Sequence, residues 1–197
     1  MKHKGNIFQL LGFLLILASL CLLLGGELME MLQTRKAEKT AAEITAMLPS
    51  QSIGIPEDYT NTDMPVLQLK GQDYSGLLRV PAFGVYLPIS SSWDSGSLNA
   101  CPRRFWGSVY DNSLVIGGST DQFGFCSRAD LGDHILVTDM EGAQFRYEVA
   151  RIERHPHADA DTLLQPDWDL TLFARDSGSM NYIFLRCSFS PQASVSE

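Results

Sequence analysis

The chain opens on a long apolar run and continues, after a polar interval, as short apolar bursts, and the two patterns call for different structures. From Ile7 to Gly26 no charged residue interrupts a leucine-rich stretch. About 20 such residues are what a helix needs to cross the hydrocarbon core of a bilayer. A cleaved signal peptide has an apolar core of about 7–15 residues ending in small side chains. Here the run is longer, and Gly25-Gly26-Glu27-Leu28 makes a poor cleavage site. Residues 1–26 are therefore expected to form a retained transmembrane anchor. Residues 27–48 hold neither proline nor glycine and are rich in Glu, Lys, Ala, Met and Leu, which predicts a juxtamembrane helical stalk. Ala37, Ala41, Ile44 and Leu48 give that helix only a thin apolar stripe, so a solvated helix with no packing partner is expected. Residues 49–73 scatter Pro49, Pro56 and Pro65 among Ser, Asn, Thr and Gly without periodicity and read as a linker.

From Tyr74 onward the bursts begin. Leu77-Leu78-Arg79-Val80 stops at Pro81, Gly84-Val85-Tyr86-Leu87 stops at Pro88, and Ser113-Leu114-Val115-Ile116 runs into Gly117-Gly118. His134 to Thr138 ends at Asp139-Met140-Glu141-Gly142, after which Phe145, Tyr147 and Val149 alternate with polar residues. Leu170 to Phe173 and Tyr182 to Cys187 close the series. Short strands at this spacing with turn signals between them predict an all-β sandwich or barrel over residues 74–190. No fixed period recurs, which excludes solenoids and propellers.

Composition narrows the function. The 197 residues carry a formal net charge of −8, and all 23 acidic residues lie at or after Glu27. With no basic stripe, such a surface repels nucleic acid, and no nucleic-acid partner is expected. Charge does not orient the anchor: Lys2 and Lys4 precede it, while Arg35, Lys36 and Lys39 follow closely. Of the four cysteines, Cys21 lies in the apolar run; Cys101 and Cys126 are the candidates for a disulfide, with a buried apolar role for Cys126 as the alternative. No Cys-x-x-Cys or His-rich spacing marks a zinc site. His155-Pro156-His157 with Asp159 is the nearest approach to one, against which stands a plain solvated loop, so no metal and no cofactor are expected.

In their order, Tyr74-Ser75-Gly76-Leu77-Leu78-Arg79-Val80-Pro81, Phe105-Trp106-Gly107-Ser108-Val109-Tyr110, Asn112-Ser113-Leu114-Val115-Ile116 and Trp168-Asp169-Leu170-Thr171-Leu172-Phe173 resemble the sortase family, closest to the class B-like sortases of Gram-positive bacteria. The resemblance covers about residues 74–188. It implies a sortase-like closed β-barrel with short helices behind an N-terminal transmembrane helix, a single-pass protein whose C-terminal domain lies outside the cytoplasm. Active members are implied to cut a sorting motif with a Cys thiolate, transfer protons through a His and hold the substrate or oxyanion with an Arg, joining the product to an amine.

This chain departs from the pattern at all three positions. Where the family reads Ala-Gly-His-Asn, it has Gly117-Gly118-Ser119-Thr120; where the family reads Leu-Thr-Leu-Phe-Thr-Cys, it has Leu170-Thr171-Leu172-Phe173-Ala174-Arg175; and Tyr182 stands where the family's Arg opens the last strand. A guanidinium neither attacks a carbonyl nor gives up its proton near neutral pH, and a serine without an adjacent base is a poor nucleophile. The expectation is a catalytically inactive homologue in which Ser119, Arg175 and Tyr182 form a polar cluster for a peptide's carboxylate or carbonyls. Two alternatives stay open at this point. Arg175 pairs with Asp176 or Asp121 on a drifted surface, or a displaced Cys/His pair using Cys126 or Cys187 keeps the protein an active transpeptidase anchoring proteins to the cell wall or pili. The partners implied are a cell-surface peptide or protein, or an active sortase or pilin beside which the chain works.

Overall fold

A computed structural model of the chain describes residues 12–17, 19–20, 35–49, 52–53, 62–94, 100–176 and 178–191. They fall into two compact units, Met1–Lys36 and Ala37–Glu197. In the first, residues 12–17 and 19–20 are helical, and the side chains of Phe13 to Leu17 and of Leu20 are more than half exposed. Among the described residues no helix is long and apolar enough to cross a membrane. Most of the Ile7–Gly26 run, on which the anchor is expected, lies outside the described residues.

The second unit begins within helix α1 (residues 35–47, of which 37 onward belong to it) and continues as strands. These are β1 (Ser52–Ile53), β2 (Leu67–Leu69), β3 (Gln72–Val80), β4 (Val85–Ser90), β5 (Arg103–Trp106), β6 (Leu114–Gly117), β7 (His134–Thr138), β8 (Ala143–His155), β9 (Leu170–Arg175) and β10 (Tyr182–Phe189). Short 3₁₀ turns occupy Pro81–Phe83 and Gly124–Arg128, and the one-turn helix α2 (Ala160–Leu163) lies between β8 and β9. Neighbouring strands run β8-β10-β9-β6-β5-β4-β3, and β7 pairs with both β3 and β8, so eight strands close into a barrel. Closure is what the alternation in β8 requires: Ala143, Phe145, Tyr147 and Val149 all turn inward and are buried, and only a closed sheet surrounds them. They meet Leu78, Leu114, Ile116, Leu172, Ile183 and Leu185 in one core.

The seam between β4 and β5 is the thinnest, a single parallel register pair of Ser90 with Arg103. Arg103 is buried there and donates from Nη1 to Ser90 Oγ at 3.3 Å and to the Ser92 carbonyl at 3.0 Å.

Two expectations for the region before Tyr74 need correction. The stretch read as a linker contributes strands: β1 lies parallel to β8, and β2 forms a hairpin with β3. The hairpin turn is Lys70-Gly71, both at positive φ (53° and 78°), the pairing that a two-residue turn between twisted strands favours. Helix α1 likewise has a packing partner. Tyr74 to Leu78 are buried without a break, so β3 is covered on both faces, and α1 supplies the outer cover. Ala41 and Ile44, fully buried, pack with Tyr74, Leu77 and Cys101, and Lys70 Nζ pairs with Glu43 at 2.6 Å. Leu67 and Leu69 of β2 and Tyr86 of β4 pack against the same cluster, so the thin stripe meets apolar side chains from three strands. Ile44→Ala is expected to lower unfolding free energy by about 2–4 kcal/mol in urea titrations. A change of less than about 0.5 kcal/mol would return the helix to solvent.

Candidate functional site

The parallel pairing of β6 with β9, Leu114 with Leu170 through Gly117 with Phe173, sets which residues emerge at the rim. The Gly118 amide extends the ladder by donating to the Phe173 carbonyl at 3.0 Å. A turn follows in which the Phe123 amide donates to the Ser119 carbonyl at 3.0 Å. The Ser119 hydroxyl is engaged inside this turn, accepting from the Gln122 amide at 3.4 Å. Thr120 then reaches across, its Oγ1 donating to the Arg175 carbonyl at 3.2 Å. On the other side Arg175 pairs in register with Tyr182, and its guanidinium stands over the Tyr182 ring, 5.7 Å from the centroid. Arg175 Nη2 also lies 3.9 Å from Met180 Sδ.

The three positions singled out from the sequence thus share one end of the barrel. Arg175 and Tyr182 touch through their side chains, whereas Ser119 is joined to them by way of Thr120 rather than by its own hydroxyl. The pairing of Arg175 with a neighbouring aspartate does not occur among the described residues. Asp176 accepts instead from Arg154 Nε at 3.1 Å and from Ser179 Oγ at 3.3 Å.

The two glycines before Ser119 are demanded by packing. A Cβ on Gly118 would lie 2.7 Å from the buried ring of Phe123, and one on Gly117 would lie 2.6 Å from Trp93 and 2.7 Å from Phe173. Trp93 in turn meets Phe105 edge-on at 5.0 Å and lies tilted over Phe173 at 5.7 Å, while Phe173 stacks on Phe184 at 6.1 Å. Phe173 and Phe184 are further covered by Leu163 from the β8–β9 connection. The outer face beside the rim is therefore filled with the chain's own aromatic side chains, and Arg175 is the first exposed position along β9.

One residue that holds this face together is not among those singled out in the sequence. Arg186 is fully buried and on the outer face, and it holds the β8–β9 connection down. Its Nε donates to Glu153 Oε2 at 3.1 Å, its Nη1 to Thr171 Oγ1 at 3.1 Å and to the Leu163 carbonyl at 3.5 Å, and its Nη2 to the Thr162 carbonyl. The Phe184 ring lies 5.0 Å away. A single arginine inside an otherwise apolar strand is the signal that could have found it, since a buried charge requires such partners. Burial pushes the Glu153 carboxyl up, but Arg186, His155 and Arg151 outweigh it and hold it below the ordinary carboxylate range.

The thiols and histidines are placed elsewhere. Cys101, Cys126 and Cys187 are free and buried, and Cys101 packs in a different cluster from Cys126, so the disulfide considered between them is absent. Burial pushes all three thiols up. His134 Nε2 faces Arg146 Nη2 at 2.6 Å, and His155 sits 3.4 Å from Glu153 and edge-on to Phe184. Among the described residues no hydrogen bond links a thiol to a histidine. Asp159 caps α2, accepting from Thr162 N at 2.9 Å and Thr162 Oγ1 at 2.7 Å; these bonds hold its carboxyl low.

Arg186→Met leaves Glu153, two carbonyls and a hydroxyl without their cation and is expected to cost about 3–5 kcal/mol in chemical denaturation. The pH dependence has a fixed sign. Because the folded pKa of Glu153 is depressed, its contribution is complete above the ordinary value of 4.5 and is lost as pH falls through the lower folded value. Stability of the wild type should fall more steeply with acid than that of Glu153→Gln; parallel profiles between about pH 5 and 3 contradict this assignment.

No protein-family model matches the chain, and no curated protein matches it in sequence. Solved structures do. Sortase A from Corynebacterium diphtheriae is 19% identical over 64% of this chain and 64% of its own, with a TM-score of 0.53. Sortase C1 from Streptococcus agalactiae is 16% identical over 64% of this chain and 72% of its own, at 0.55. A Clostridium perfringens sortase D5 transpeptidase is 18% identical over 59% of this chain and 79% of its own, at 0.52. The chain spans a little under two thirds of the diphtherial protein. The barrel is a sortase fold, and likeness at this identity carries the fold alone.

Proposed function

We propose that this is a class B-like, membrane-anchored sortase homologue that binds a peptide or protein partner outside the cytoplasm without cleaving it. The observation that carries the reading is the guanidinium of Arg175, exposed at the end of β9 where the flanking sequence calls for a thiol. Standing over the Tyr182 ring, it offers a permanent cation with no carboxylate partner among the described residues. A planar, fork-shaped donor in that position suits a carboxylate or a pair of backbone carbonyls. Tyr182, itself half-buried, adds a hydroxyl that can donate or accept, and the turn at Ser119 borders them.

The three thiols of the barrel unit count against the alternative of a displaced catalytic pair. A sulfur nucleophile must ionise and be reached, and Cys126 and Cys187 are fully buried with raised pKa values. The exposed apolar side chains of residues 13–17 support the anchor, as does the uncharged run around them. An active sortase or a pilin is the partner class that the fold suggests for such a protein.

Mixed with a sorting-motif peptide and an amine acceptor, the full-length chain should give no transpeptidation product. A product that thiol reagents suppress sinks the non-catalytic reading. The same peptide with a free carboxylate should bind, and Arg175→Ala should weaken it about tenfold; equal binding by the variant removes Arg175 from the site. In a Cys21→Ser background the native protein should leave Cys101, Cys126 and Cys187 unlabelled by a bulky thiol reagent until it is unfolded. Rapid labelling of Cys126 or Cys187 in the folded state would restore the displaced-thiol alternative.

A further inference from the structure

A second feature of the barrel runs along the outer face beside the Arg175 rim and does not depend on the function proposed for that rim. The chain has three tryptophans, and each lines one or both of two neighbouring clefts on the outer surface, taken together here as a groove. A cleft of about 350 Å³ includes Trp93 and Trp106 in its walls, and an adjoining one of about 280 Å³ includes Trp106 and Trp168. Trp106 and Asp111 belong to both, so the clefts meet at them. Trp106 is 59% exposed, far more than an indole placed for packing needs. The floor of the second cleft is formed by Val115 of β6 and Thr171 of β9. Thr171 is four strand positions before Arg175, about 13 Å along the barrel surface.

The polar groups in the second cleft define the ligand. Asp111, the charged residue there, is committed, its Oδ1 accepting from the Ser108 amide at 3.1 Å and from the Ser113 hydroxyl. The carboxamides of Asn112 and Gln165 have no hydrogen bond to any described residue. Asn112 is held at a positive φ of 53°, a conformation rare for a side-chain-bearing residue. In the first cleft Arg104 is engaged, donating from Nε to the Ser91 carbonyl and from Nη1 to the Gly107 carbonyl, each at 3.4 Å, and Asp63 is engaged as well. The uncommitted chemistry is thus indole surface plus neutral carboxamides that both donate and accept. No ladder edge is available to an extended peptide, because β6 is paired on both sides, with β5 and β9.

We infer that this tryptophan groove binds a neutral oligosaccharide. The C–H face of a pyranose ring is weakly positive and stacks on the negative face of an indole. Sugar hydroxyls and acetamido groups match the free carboxamides, donor to acceptor in both directions. Two clefts sharing Trp106 accommodate successive rings of a chain, with the shared indole between them.

The test uses the full-length chain and its own fluorescence, since all the tryptophans line the groove. Titration with chitohexaose, a neutral β-linked chain bearing acetamido groups, should give a saturable change in emission. Trp106→Ala should weaken binding about tenfold or more while leaving the melting temperature within about 2 °C of wild type. Gln165→Ala, which removes no packing surface of note, should weaken it about threefold and serves should the first variant fail to fold. Absence of a saturable response overturns the inference, as does unchanged affinity in the folded variants. Decaproline binding in place of the sugar would also overturn it, since polyproline segments dock in aromatic-lined grooves.

Discussion

The barrel depends on one parallel pairing, that of β6 with β9. Four registered positions join the strands, and both are buried on both sides: Leu114, Ile116, Leu170 and Leu172 face the core, while Val115, Thr171 and Phe173 are covered from outside. A parallel pair has slanted hydrogen bonds and needs a long crossover, here the whole excursion from the Ser119 turn through β7 and β8. Burial on two faces makes slippage prohibitive, because a shift of one residue would exchange core and cover throughout. The rim inherits that precision. Arg175 follows Ala174 and Phe173 out of the sheet because the pairing leaves it nowhere else to go.

Two arginines on the same outer face meet opposite fates. Arg186 is enclosed and fully partnered, and it works as a tie between β10 and the β8–β9 connection. Arg175, on the neighbouring strand, is exposed and rests on an aromatic ring. The difference lies in what covers each: Leu163 and the carbonyls of the connection descend over Arg186 but do not extend as far as the rim. A buried guanidinium is tolerable only when its donors are used, and the backbone carbonyls at Thr162 and Leu163 supply what side chains alone would not. The tryptophan groove has one of its walls in this same connection, at Gln165 and Trp168, so the tie also fixes the groove's shape.

Much of this was legible in the order of residues. Period-two alternation and turn residues located the strands, and the flanks of Ser119, Arg175 and Tyr182 carried the sortase resemblance, which the barrel bears out as a fold. Less legible was the region before Tyr74. A four-residue stripe on α1 is too little to mark a packed helix by periodicity, and its counterpart is a doubled apolar pair, Leu77-Leu78, whose need for cover on a second face shows only once the sheet is closed. The side-chain details of the rim were beyond pattern reading for a similar reason. Whether Ser119 aims its hydroxyl outward or spends it on its own turn depends on Gln122, three residues on. The aromatic cover at Trp93 is contributed from β4's far end, a distance in sequence that no local spacing reports.

The position of Arg175 has a consequence for how freely it can be substituted. Its neighbours on β9 are constrained on every side, so a change at any of them disturbs the packing of the whole, whereas a side chain projecting past the last covered residue costs the scaffold almost nothing whatever its nature. A change of side chain at that tip leaves the covered positions of β9 untouched, so the fold itself places little constraint on which group stands there. A barrel ending this way is a durable handle with an interchangeable bit.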